Sequence, residues 1–121
     1  MKRGKKKEGE IQNEICKHLT DIGVFFWRMN NVPIAYRDAL GQMRFRSLPK
    51  YTPKGLPDLM CIHHGVPIAL EVKRSGEYQK PEQIEMEMRI TEAGGIYSVV
   101  RSVEDVDAVI IKANAEASAK S

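Results

Sequence analysis

Two carboxylates and a lysine stand where this chain can do chemistry. Asp58 and Glu71 lie in two short apolar segments, residues 56–62 and 66–72, separated by His63-His64-Gly65. Two such segments joined through a glycine predict an antiparallel hairpin. In a hairpin the residue numbers of cross-strand partners add to a constant. A two-residue turn at His64-Gly65 pairs His63 with Val66, and the same register pairs Asp58 with Glu71. Their Cβ atoms then stand ~5 Å apart on one face of the sheet. Lys73, two residues past Glu71, projects from that face as well. Two acids directly opposite each other repel unless a cation lies between them. Mg²⁺ prefers hard carboxylate and carbonyl oxygens and keeps several waters. Lys73 beside such an ion can hold or deprotonate a water, or stabilise charge developing on a phosphate.

The rest of the chain must hold that hairpin in place. Ile11, Ile15, Leu19 and Ile22 recur at helical spacing, which predicts a helix over residues 8–22, ended by Gly23. Glu10 and Glu14 lie beside that stripe. Residues 24–29 are apolar and aromatic and read as a buried strand, with Phe25, Phe26 and Trp27 assigned to the core or to a dimer interface. Residues 34–37 and 43–48 read as a hairpin inside a variable insert, residues 30–53. Pro81 at a first helical position and Gly94-Gly95 at the other end bracket a second helix, residues 81–93. Its Ile84, Met86 and Met88 are the expected packing side. Residues 96–100 form a further strand. Ser102, with Asp105 three residues on, opens a last helix whose apolar side is Val103, Val106, Val109 or Ile110, and Ala113. The fold class is therefore α/β, a mixed central sheet of about four strands with helices on both sides. Residues 1–7 read as a basic tail, 8–113 as one domain and 114–121 as a flexible tail.

The 121 residues suit one domain, and 42% hydrophobic residues suffice for a core. Net charge is only +3, so distribution matters more than total. Lys2, Arg3, Lys5, Lys6 and Lys7 crowd the start. Arg37, Arg44, Arg46, Lys50 and Lys54 are interleaved with Tyr36, Phe45 and Tyr51 in the insert, a pattern suited to phosphate contact and base stacking. Cys16 and Cys61 belong to no CxxC pair and read as buried thiols, which favours a reducing, cytoplasmic location. The basic start leads into no apolar run of leader length, and no segment approaches the ~18 apolar residues of a membrane span. His63 and His64 read as turn residues, too far along the strand from Asp58 to share its site.

Several strings around the acids narrow the possibilities. Gly55-Leu56-Pro57-Asp58 followed by Glu71-Val72-Lys73 resembles the PD-(D/E)XK nuclease signature. Glu10-Ile11-Gln12, Ser75-Gly76, Pro81-Glu82-Gln83, Gly94-Gly95 and residues 99–105 extend the likeness over residues 8–109. The whole resembles the VRR-NUC branch of that superfamily. The resemblance implies that Asp58, Glu71 and the Val72 carbonyl bind Mg²⁺ or Mn²⁺, one or two ions per site. It makes Lys73 the catalytic lysine. It places Glu10 in the site as a ligand, direct or through water, with Glu8 and Glu14 as competing acids. Gln83, with Gln79 as its competitor, would hold a water or a phosphate oxygen. The activity implied is hydrolysis of phosphodiester bonds in DNA, with a branched substrate such as a Holliday junction, by a homodimer. Flap or linear DNA is the alternative substrate, and a non-catalytic DNA-binding module or subunit the alternative function.

Overall fold

The computed structural model describes residues 6–29, 35–45 and 50–120. Three helices, α1 (Glu8–Asp21), α2 (Pro81–Glu92) and α3 (Val103–Lys120), accompany six strands. These are β1 (Phe25–Arg28), β2 (Ala35–Arg37), β3 (Met43–Phe45), β4 (Leu59–His63), β5 (Val66–Val72) and β6 (Ile96–Val100). Four strands make one sheet in the order β1-β4-β5-β6, antiparallel except for the β5–β6 pair, which α2 connects as a parallel crossover. The other two form a separate antiparallel ribbon. The α/β architecture, with helices on both sides of a mixed sheet, is the one the periodicities predict.

The central hairpin adopts the predicted register. His63 pairs with Val66 and each rung follows, down to Leu59 with Leu70. His64 (φ 50°) and Gly65 (φ 80°) both occupy the left-handed region. That backbone matches a two-residue turn to the twist of its strands. His63 hydrogen-bonds Asn114 across 2.9 Å and its ring lies 4.2 Å from that of His64, at the far end of the hairpin from Asp58. Strand β4 begins three residues later than predicted. Pro57 has no amide hydrogen to give a ladder, and the Asp58 carbonyl accepts instead from Met29 N at 2.9 Å.

Alternation divides the sheet's two faces. Leu59, Cys61, Ile68, Leu70, Val72, Ile96 and Val100 form the main core with Ile11, Ile15 and Leu19 of α1 and Val106, Val109 and Ala113 of α3. Removing these side chains from water is the main driving force, at roughly 1.5–3 kcal/mol for each large one. Ala69 and Tyr97 pack on the opposite face against Met86, with Met60, Ile90 and Val99 around them. Both cysteines are free thiols, and burial pushes that of Cys61 up to about 12.

Two expectations are corrected, and one open alternative is decided. Strand β1 is an exposed edge, with Phe25 and Trp27 66% and 40% accessible. Only Phe26 reaches the main core, because α2 sits over β6 at the other side of the sheet. Phe25 and Trp27 are therefore not core residues. The expected tail is helical as far as Lys120. Its alanines favour helix, and Ala117 packs on the core one turn beyond Ala113. Between the alternatives on α3, Val109 is buried and Ile110 half-buried.

Candidate active site

Where β4 begins and β5 ends, the first turns of α1 and α2 enclose a cleft of about 410 Å³. Glu8, Asp58, Glu71, Lys73, Glu77, Lys80 and Gln83 line it. Alternation along β5 turns Glu71 away from the main core, onto the face that α2 covers. It is 2% exposed, and Lys73 is 6% exposed. Lys73 Nζ stands 4.0 Å from Glu71 Oε1. Asp58 lies one rung past Leu59–Leu70, and its carboxylate is within hydrogen-bonding reach of that of Glu71. Asp58 Oδ2 also accepts from Val72 N at 2.8 Å, so a side chain takes the amide where the β4 ladder stops.

Burial of Glu71 raises its proton affinity, and the Asp58 charge raises it further, while Lys73 pulls it back. The carboxyl sits well above the ordinary carboxylate range. Glu8 is raised as well, by its own burial first and by Asp58 second. A site that crowds acids until they hold protons is one that a cation can relieve. The donor set is hard oxygen, as Mg²⁺ and Mn²⁺ prefer. No three acidic, histidine or cysteine side chains among the described residues close on a single point. The Asp58–Glu71 pair, with water completing the sphere, is the set that fits.

Gln83 is fixed by the start of α2. Its Oε1 accepts from Lys80 N at 2.8 Å, which leaves Nε2 to donate to Glu71 Oε1 at 3.1 Å. Gln83 therefore orients Glu71, where the family pattern implied a water or a phosphate oxygen. Gly55 makes this approach of loop and helix feasible. Its φ of 79° is left-handed, and a Cβ there would collide with the Glu82 carbonyl in the first turn of α2. Gly55→Ala is expected to lower stability by about 2–3 kcal/mol, measured by urea unfolding, because strain and overlap act together.

The placement of Glu10 is corrected. Glu10 is exposed and does not line the cleft; Glu8 does. Glu8 precedes the buried Ile11 by three residues and Ile15 by seven, so it shares their side of α1. Glu10 is turned roughly 200° from Glu8 at 100° per residue. That phase was readable in the apolar stripe. Tyr97, Glu77 and Lys80 were not anticipated either. Tyr97 follows only from the parallel register that sets Glu71 beside Val99.

The basic residues of the insert are less available than their number suggests. Arg44 Nε pairs with Asp38 Oδ2 at 3.0 Å, and Arg37 donates to the Gly41 carbonyl at 2.9 Å, both inside the β2–β3 ribbon. Asp38 also caps the turn, accepting from Leu40 N and Gln42 N at 2.9 and 3.0 Å. Lys6 pairs with Glu14 at 2.6 Å. Lys7 and Lys54 are exposed, and Lys50 stands over the Tyr51 ring at 5.2 Å. Lys5 and Arg46 lie outside the described residues.

No protein-family model and no curated protein matches this chain. A solved structure described as a VRR_NUC domain does, with a TM-score of 0.57 and 25% identity. The match covers 85% of this chain and 92% of the other. The chain folds as a VRR-NUC domain. The PD-(D/E)XK pattern of Asp58, Glu71 and Lys73 is consistent with that placement, and the domain is of nuclease type. Among the described residues, no helix of this VRR-NUC domain is long and apolar enough to cross a membrane.

Proposed function

We propose that this VRR-NUC domain hydrolyses phosphodiester bonds in DNA with Mg²⁺ or Mn²⁺. The observation that carries the reading is the buried Lys73 ammonium facing two mutually repelling carboxylates in one cleft. A pure binding module gains nothing from acids aimed at a phosphate. Asp58, Glu71 and the Val72 carbonyl would hold the ion, with Glu8 reaching it directly or through water. When bound, the ion supplies Lewis acidity and lowers the pKa of water. As an ammonium Lys73 donates to the phosphate oxygens and stabilises the charge that develops there; after giving up a proton to solvent, its free amine takes the proton of the attacking water. Gln83 keeps Glu71 from turning away. The N-termini of α1 and α2 both border the cleft and favour an incoming anion.

A branched substrate and a two-fold dimer belong to the same proposal. Phe25, Trp27 and Ile62 are exposed together on the β1–β4 face, and an apolar patch of that kind suits a second copy. Two sites related by symmetry would address two strands of a junction. The discriminating experiment incubates four-way, flapped and linear DNA with the protein in Mg²⁺, Mn²⁺ or EDTA, alongside light scattering. Metal-dependent junction cleavage by a dimer is expected. A monomer acting only on linear ends defeats the junction reading, and no cleavage of any substrate defeats the enzyme reading.

Glu8→Gln is expected to slow cleavage about 10–100-fold while Glu10→Gln stays within about twofold of wild type. Single-turnover rates on the preferred substrate measure both, and equal losses would return the helix ligand to an open question.

A further inference from the structure

Glu71 has three rotatable side-chain bonds, and a metal site needs its carboxylate plane in one orientation. Gln83 and Lys73 both address Oε1. The other oxygen, Oε2, faces the hydroxyl of Tyr97 at 3.5 Å. Tyr97 is 8% exposed, and its ring is wedged beside Ala69 and Met86, so it is a stiff support. The side chain of Gln79, which donates from Nε2 to Glu87 Oε1 at 3.1 Å, lies beside that hydroxyl and makes the phenol easier to ionise. A carboxylate only accepts, so the Gln79 amide nitrogen faces Glu87, and its second hydrogen is left for the phenol oxygen of Tyr97. The phenol then accepts from Gln79 and keeps its single proton for Glu71. The donor direction runs from Gln79 through Tyr97 to Glu71, anchored on α2 by Glu87.

We propose that Tyr97, locked by Gln79, is a positioning residue that holds the Glu71 carboxylate in its ion-binding orientation. The inference rests on the metal-dependent reading above and extends it to β6 and the loop before α2. Both glutamines near Pro81 thus serve one carboxylate, Gln83 on Oε1 and Gln79 through Tyr97 on Oε2. Outer partners of this kind commonly alter metal affinity about 10–100-fold. The effect lies in orientation and not in chemistry, so a saturating ion restores the rate.

The test measures Mn²⁺ binding by the electron paramagnetic resonance of unbound Mn²⁺, for wild type, Tyr97→Phe, Gln79→Leu, the double variant and Glu71→Gln. Tyr97→Phe is expected to weaken Mn²⁺ binding about tenfold and to retain kcat within about twofold at saturating Mn²⁺. Gln79→Leu, which leaves the phenol in place, is expected to weaken it less. The double variant should lose no more than Tyr97→Phe alone, because both changes break one chain. Unchanged affinity in both single variants, beside Glu71-dependent binding in wild type, overturns this inference alone. Additive losses in the double variant overturn it as well. Absence of Glu71-dependent binding in wild type overturns the metal reading and the inference together.

Discussion

Lys73→Met is expected to slow DNA cleavage by about 10²–10⁴-fold at saturating Mg²⁺. The ammonium is nearly enclosed and stands 4.0 Å from Glu71 Oε1. Methionine preserves most of the volume and removes the charge and all three donors. The loss should appear in the single-turnover rate rather than in substrate affinity, because the group is too buried to serve as a docking contact. Arginine is not expected to rescue it. A planar guanidinium demands more room than a buried ammonium and gives up no proton near neutrality. The metal-free variant should also melt lower, since two acids remain without the lysine that offset them. A Lys73→Met protein keeping more than a tenth of the wild-type rate would remove lysine from the chemistry.

Glu71→Gln should abolish detectable cleavage and yet stabilise the metal-free protein. In the folded chain Glu71 binds its proton more tightly than in the unfolded chain, through burial first and the Asp58 charge second. A folded-state pKa above the unfolded one gives a stability contribution that is complete below the unfolded value. That contribution is lost as pH rises through the folded value. Metal-free wild type should therefore weaken as pH climbs from the ordinary glutamate range toward neutrality and beyond. Glutamine cannot ionise, so the variant's curve should be flatter and the gap between the two should widen with pH. Melting in EDTA across that range is expected to show a difference of a few degrees near neutral pH, about 1–2 kcal/mol. Added Mn²⁺ should raise the wild-type midpoint and leave the variant unmoved. A gap that narrows with rising pH would contradict the site's electrostatics.

What the sequence disclosed about this site follows a physical divide. Cross-strand pairing in a two-residue hairpin is rigid arithmetic, so the meeting of Asp58 and Glu71 was legible from residue types alone. The helix phase that selects Glu8 over Glu10 was legible too, in the spacing of Glu8 to the buried Ile11 and Ile15, although the motif resemblance alone points to Glu10. Tyr97 was not legible. The register of β6 on β5 depends on how α2 seats between them, and no local rule sets it. Nor was the openness of β1, because the aromatic run Phe25-Phe26-Trp27 carries the same composition whether an edge strand or a central one bears it. In the ribbon, composition shows the arginines as cations but not their pairing: Asp38 lies within the same turn and claims Arg44.

The amide of Val72 is held by an Asp58 side-chain oxygen. Any event that draws that oxygen elsewhere must loosen the same N–H. The Val72 nitrogen resonance is therefore a built-in spectroscopic handle on ligation. It should shift and exchange faster with deuterium when an ion or a proton arrives at Asp58, reporting occupancy of the cleft without a substrate, a dye or a substituted residue.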